Sequence, residues 1–181
     1  PPFSVLCSAP MSSMPSPMPP TVATITVSDS RDTRSDSGGA KLRELLDRAG
    51  FRLGDHRIVR DDREAIAGAL RGAMVPGVDA VVLTGGTGIG PRDVTVEAVE
   101  PMLERKLDGF GEAFRRLSWD QVGARSVLSR AVAGTCEARL VFVLPGSPKA
   151  VQLGVEQLIV PLLQHAMQML AGGGHPPSKG A

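Results

Sequence analysis

The chain has 181 residues, 42% hydrophobic and 22% charged, and its 20 basic and 19 acidic side chains leave a formal net charge of +1. That length suits one soluble globular domain, and the near-neutral balance argues against a nucleic-acid binder driven by bulk charge. An aromatic content of 3% argues against a base-stacking platform, and no apolar run reaches the roughly 18 residues expected of a membrane-spanning helix.

Residues 1–20 read as a disordered tail, because seven of them are Pro, mixed with Ser and Met. Thr21 to Val27 is a β-branched apolar run, the pattern of a buried strand. Leu42, Leu45, Leu46 and Ala49 fall on one helical face, and Gly50 follows as a C-cap. His56 to Val59 reads as part of a second strand. Ile66, Ala69, Leu70, Ala73 and Met74 repeat the helical spacing until Pro76-Gly77 stops it. Asp79 to Thr84 is a third strand. A short helix should open near Thr95, a candidate N-cap, and end near Pro101. Phe110, Ala113, Phe114 and Leu117 mark another helix. Arg139 to Leu144 is a strong late strand, with Ala131 to Cys136 pairing to it as a hairpin across Gly134. The last helix should run from its N-cap, Ser147, to about Leu170, kinked by Pro161. Residues 171–181 read as a Gly-rich tail, which leaves 21–170 as the working domain. Cys7 and Cys136 supply neither a disulfide framework nor a zinc site, which fits a cytoplasmic setting.

Alternating strands and helices predict an α/β fold with a mostly parallel sheet and one short antiparallel hairpin. In such folds ligands sit beyond the carboxyl ends of the strands. Four segments therefore matter. After Thr84 comes Gly85-Gly86-Thr87-Gly88-Ile89-Gly90-Pro91-Arg92-Asp93, a glycine cluster able to close backbone N–H groups around an anion. It is neither a dinucleotide fingerprint nor a P-loop, since Pro91 follows Gly90 where the P-loop lysine would stand. Asp93 beside such a site either caps the next helix or holds a bridging Mg2+. After Leu144 comes Pro145-Gly146-Ser147-Pro148-Lys149, a Gly turn and helix N-terminus with a nearby cation. Ser28 opens a polar loop after Val27, and Asp61-Asp62 follow Val59 as caps or metal ligands, with capping favoured. Arg130, next to Ser129, could clamp a phosphate. No Ser/His/Asp or Cys/His set competes. The residues suggest phosphoryl or nucleotidyl transfer, in which catalysis is mainly positioning and charge neutralisation.

Thr84 to Thr95, TGGTGIGPRDVT, closely resembles the MogA/MoaB-type molybdenum cofactor biosynthesis family. Ser28-Asp29-Ser30-Arg31 with Asp36-Ser37-Gly38, Asp61-Asp62, Gly109 to Glu112, Leu128 to Ala131 and Leu144 to Pro148 match further family segments in the expected order. Arg60 stands where the family usually has Pro before the two acids. The resemblance implies a three-layer α/β/α sandwich that binds molybdopterin and assembles as a homotrimer or homohexamer. It implies Mg2+ and ATP as cofactor and co-substrate: AMP passes to the molybdopterin phosphate, and pyrophosphate leaves. A downstream molybdenum insertase is an implied partner. Carried over residue by residue, Gly85, Gly86, Thr87 and Gly88 would cradle pterin or phosphate. Asp93 would be the essential acid and Mg2+ ligand, and Asp61 or Asp62 the second acid. Ser28, Glu112, Ser129, Arg130, Gly146 and Ser147 would line the pocket, with Lys149 nearby. The alternative function is a non-catalytic molybdopterin carrier or scaffold. A third is a nucleotide-processing hydrolase of the competence-damage type.

Overall fold

A computed structural model of the chain describes residues 18–172. Of the expected tails, 1–20 and 171–181, residues 1–17 and 173–181 lie outside the described residues. The elements in chain order are β1 (Thr21–Val27), α1 (Ser37–Arg48), β2 (Arg52–Val59), α2 (Arg63–Ala73), β3 (Ala80–Thr84), α3 (Thr95–Val99), β4 (Arg105–Lys106), α4 (Asp108–Val122), β5 (Val132–Cys136), β6 (Arg139–Leu144), α5 (Pro148–Gly154) and α6 (Val160–Leu170).

The strands form one sheet in the order β2-β1-β3-β6-β5-β4. β2, β1, β3 and β6 are parallel, while β5 and β4 are antiparallel to their neighbours. Side-chain alternation divides the core in two. Val22, Ala80, Val82, Leu140 and Phe142 face α1, α4, α5 and α6, where Leu42, Leu46, Phe114, Val151 and Leu163 are buried. Ala23, Ile25, Val81, Leu83 and Val141 face α2 and α3, which contribute Ile66, Leu70, Val96 and Val99. This is the three-layer α/β/α arrangement that the resemblance implied. No described helix is long and apolar enough to cross a membrane.

Several elements depart from expectation for local reasons. β2 begins at Arg52, because that residue already pairs with Thr21. The β5–β6 hairpin turns at Glu137-Ala138, whose φ angles are 48° and 57°, and not across Gly134. Gly134 lies inside β5, paired to Lys106 and Val141, where a Cβ would stand 2.5 Å from the Arg105 carbonyl oxygen. Thr95 is not an N-cap. Val94 takes that position, and the Thr95 hydroxyl donates to the Gly85 carbonyl at 2.9 Å. A π-helical turn, Val155–Ile159, separates α5 from α6 and accommodates Pro161. Gln157, four residues before that proline, sits in the wider turn, where the ring escapes the usual clash with an α-helical carbonyl. Ser147 does cap α5, accepting from the Ala150 N–H at 3.3 Å.

Candidate functional site

Parallel pairing puts the ends of β1, β3 and β6 side by side, with Thr26, Thr84 and Leu144 in register. The glycine turns after β3 and β6 touch each other and the start of α1. A Cβ on Gly146 would stand 3.2 Å from Gly85 Cα, and one on Gly38 would stand 2.7 Å from the Gly146 carbonyl oxygen. Gly85 and Gly86 have φ angles of 107° and 61°, conformations that L side chains rarely adopt. A Cβ on Gly85 would also lie 2.2 Å from the Val27 carbonyl oxygen, and one on Gly86 2.6 Å from Asp61 Oδ1. Both positions require glycine for space as well as for conformation.

The loop after β3 is anchored by its carbonyls. The Gly85 oxygen accepts from the Thr95 hydroxyl and the Gly86 oxygen from the Thr95 N–H. The Thr87 oxygen accepts from the Arg130 N–H at 3.2 Å, and the Gly88 oxygen from Arg130 Nε at 2.9 Å. In a trans peptide each carbonyl points opposite to the next N–H. Four successive carbonyls tied to Thr95 and Arg130 therefore turn the following N–H groups toward the other side. A cavity of about 460 Å³ opens here, walled by Ser28, Arg31, Gly85 to Gly88, Arg125, Ser129 and Gly146. A second cavity, of about 310 Å³, shares Ser28, Ser30 and Asp93 with it and adds Asp29, Asp61 and Arg92.

The two adjacent acids after β2 separate cleanly. Asp62 Oδ1 accepts from the Ala65 N–H at 2.9 Å and caps α2. Asp61 turns toward the glycine loop, and its buried Oδ1 has no hydrogen-bond partner. Burial, then the charges of Asp29 and Asp93, push the Asp61 carboxyl above the usual carboxylate range. Asp93 Oδ2 accepts from the Gly90 N–H at 2.9 Å and packs against Gly88. Among the described residues no group of three His, Cys, Asp or Glu side chains forms a ready metal cage. The acids still fit Mg2+, which takes one or two carboxylates and completes its shell from water and substrate phosphate. The orphaned Asp61 oxygen and the acidic crowding around it are the fit.

Other sequence-selected residues fall elsewhere. Arg130 is not an open phosphate clamp. Its Nε binds the Gly88 carbonyl, Nη2 the Asp93 carbonyl at 2.8 Å, and Nη1 the Glu97 carboxylate, so it braces the loop from behind. Lys149 faces a separate groove between α4 and α5, with Asp120 and Glu156, away from the glycine turns. Ser147 caps α5 and does not line the glycine-turn cavity, whereas Gly146 does. Glu112 lines a third cavity, of about 550 Å³, against Arg115 and Ser129. Ser129 borders both this cavity and the glycine-turn one.

Sequence reading quoted Asp29, Arg31 and Asp36 only within family segments, without giving them roles, and did not single out Arg125. Asp29 Oδ1 accepts from the Asp61 N–H at 3.1 Å, a contact that only the β1–β2 pairing creates. Arg31 Nη1 donates to the Gly146 carbonyl at 3.2 Å. Asp36 is buried, caps α1 through the Gly39 N–H, and accepts from the Thr26 hydroxyl at 2.6 Å. Its position before a Ser-Gly-Gly helix start was the available signal.

The family described as "Probable molybdopterin binding domain" matches residues 23–165. The chain belongs to this molybdenum cofactor biosynthesis family, of the MogA/MoaB type. Molybdenum cofactor biosynthesis protein B of Staphylococcus epidermidis is 48% identical over 149 residues, covering 80% of this chain and 85% of that protein. A crystal structure of a molybdenum cofactor biosynthesis protein B superposes with a TM-score of 0.83 at 42% identity, covering 87% of this chain and 99% of that one. The tungsten cofactor synthesizing protein MoaB from Pyrococcus furiosus gives 0.77 at 37% identity, over 86% and 99% of the two chains. In this MogA/MoaB-type chain most of the family segments quoted from the sequence gather at the carboxyl ends of the parallel strands, while Gly111 and Glu112 line the third cavity. The TGGTG loop, the first serine-rich loop, Asp61 and the LPG turn meet at two adjoining cavities.

Proposed function

We propose that this protein binds molybdopterin at the glycine turns and transfers AMP to its terminal phosphate from ATP with Mg2+. The observation that carries the reading is the juxtaposition of the Gly86 to Gly88 backbone, whose carbonyls are anchored by Thr95 and Arg130, with the carboxylates of Asp61 and Asp93. The loop N–H groups, preset by Thr95 and Arg130, bind a phosphate without reorganising. Asp61 and Asp93 hold Mg2+, which neutralises charge on the nucleotide phosphates when bound. A molybdopterin phosphate oxygen attacks the α-phosphorus of ATP. The bond from that phosphorus to the bridging oxygen breaks, and pyrophosphate leaves with the electron pair. No covalent enzyme intermediate is required. Ser28 and Ser129, which both line the larger of the two cavities, orient the pterin.

The reading extends to assembly as a homotrimer or homohexamer and to a cytoplasmic setting, with a molybdenum insertase receiving the product. Exposed Trp119, Val122, Val127 and Leu128, from α4 and the turn after it, support self-association.

The test is purified protein incubated with molybdopterin, ATP and Mg2+, with pyrophosphate followed over time. Stoichiometric pyrophosphate and adenylylated pterin are expected. Bound pterin without pyrophosphate would leave the carrier function in its place. Asp93→Asn should lower turnover by roughly 100-fold or more. The amide oxygen can still accept the Gly90 N–H, so pterin affinity should stay within a few-fold.

A further inference from the structure

Two arginines, Arg130 hydrogen-bonded to the glycine loop and Arg92 carried on it, are held in opposite ways. Arg130 makes three side-chain hydrogen bonds to the loop and α3. Arg92 lies on the loop itself, one residue before Asp93, with a side chain 83% exposed. Its Nη1 stands 3.5 Å from Asp29 Oδ2, at the outer limit of a hydrogen bond. Arg31, on the facing loop, already donates to the Gly146 carbonyl. Arg92 is therefore the cation of the smaller cavity, whose walls otherwise bring Asp29, Asp61 and Asp93 together.

This arrangement has a chemical consequence. An exposed ion pair contributes little to stability, so Arg92 exchanges partners readily. A polyphosphate is a better partner than Asp29, because a guanidinium can take two of its oxygens at once. Release of Arg92 also frees the Asp29 carboxylate beside Asp61 for the cation that accompanies the polyphosphate. The loop needs no movement, since Thr95 and Arg130 hold its backbone.

We propose that Arg92 is the pyrophosphate-binding residue of this site: it leaves Asp29 and closes on the β- and γ-phosphates of a nucleotide whose α-phosphate lies toward Gly85 to Gly88. The assignment rests on the adenylyl-transfer reading for its place in the reaction, but its binding test is independent of turnover. Arg92 would stabilise the negative charge that develops on pyrophosphate as the bridging bond breaks.

The experiment is calorimetric titration of the full chain with inorganic pyrophosphate and Mg2+, using wild type, Arg92→Ala and Arg92→Lys. Wild type should bind, Arg92→Ala should bind at least tenfold more weakly, and Arg92→Lys should fall between them. AMP, which lacks the leaving phosphates, should bind wild type and Arg92→Ala within twofold of each other. Unfolding midpoints of all three proteins should agree, because the side chain is exposed. In turnover, Arg92→Ala should lower kcat and leave the KM for molybdopterin unchanged. Equal pyrophosphate affinity in wild type and Arg92→Ala, or no binding by wild type, overturns the assignment. Arg92-dependent pyrophosphate binding without adenylyl transfer overturns the reaction and leaves the binding assignment standing.

Discussion

Asp61 and Asp62 are neighbours with the same functional group, yet the structure gives them opposite surroundings. Asp62 stabilises a helix end, and Asp61 is a half-buried acid among other acids, with one buried, orphaned oxygen. Asp62→Ala should therefore lower unfolding stability by about 1 kcal/mol while sparing turnover. Asp61→Asn should raise the urea midpoint, because it removes a charge that burial, Asp29 and Asp93 all oppose, and should abolish turnover. Paired denaturation and pyrophosphate assays on the two variants check both signs. Glu97 gives a pH test. Its hydrogen bond from Arg130 holds its carboxyl below the usual range. A depressed acid contributes stability above its unfolded value of about 4.3 and loses it as pH falls through the folded value. Wild type should lose more stability than Glu97→Gln between pH 7 and pH 3, measured by urea midpoints at each pH. Sequence alone left the two aspartates undecided, although the α2 periodicity beginning at Ile66 already pointed to a helix start just after Asp62. The role of Arg130 was not legible at all, because its partners Gly88 and Asp93 lie 42 and 37 residues away and meet it only in the fold.

Helical glycines show how packing overrides propensity. Gly68 in α2 and Gly111 in α4 look alike in sequence. A Cβ on Gly68 meets nothing within 4 Å, whereas one on Gly111 would lie 2.5 Å from the Ala131 carbonyl oxygen. Gly68→Ala should raise stability by about 0.5–1 kcal/mol. Gly111→Ala should lower it by about 1–3 kcal/mol, because α4 must move off the chain entering β5. Thermal midpoints of the two variants decide the matter. The helices themselves were readable from their 3.6-residue apolar spacing. The hairpin turn was not, since Glu137-Ala138 carries no Asn-Gly signal and is forced into positive φ by the β5–β6 pairing. Nor did the sequence show that Pro161 would be absorbed by a π-turn, a choice made by how the last helices pack on β6.

At the scale of the molecule, the glycine excess and the near-zero charge become local facts. Glycines at 38, 85 and 146 let the start of α1 close on the turns after β3 and β6, and acids and arginines divide the rim between them. The α/β class followed from buried β-branched runs, but the convergence of those turns depends on the strand order, which single segments do not encode. Beyond that charged rim, a run of exposed apolar side chains makes a demand of its own, reaching the glycine-turn cavity at Leu128. Trp119 and Val122 share one face of α4 and are 53% and 50% exposed, and Val127 and Leu128 follow at 65% and 50%. Large exposed apolar groups concentrated in one segment mark an interaction surface. A second copy covering this surface would bury the single tryptophan of the chain. Light scattering should give three or six protomer masses, and emission should be blue-shifted and move red on dilution. Trp119→Glu should shift the mass toward the protomer without changing the far-ultraviolet circular dichroism. A protomer mass at micromolar concentration, with emission already red and insensitive to dilution, would contradict assembly through this surface.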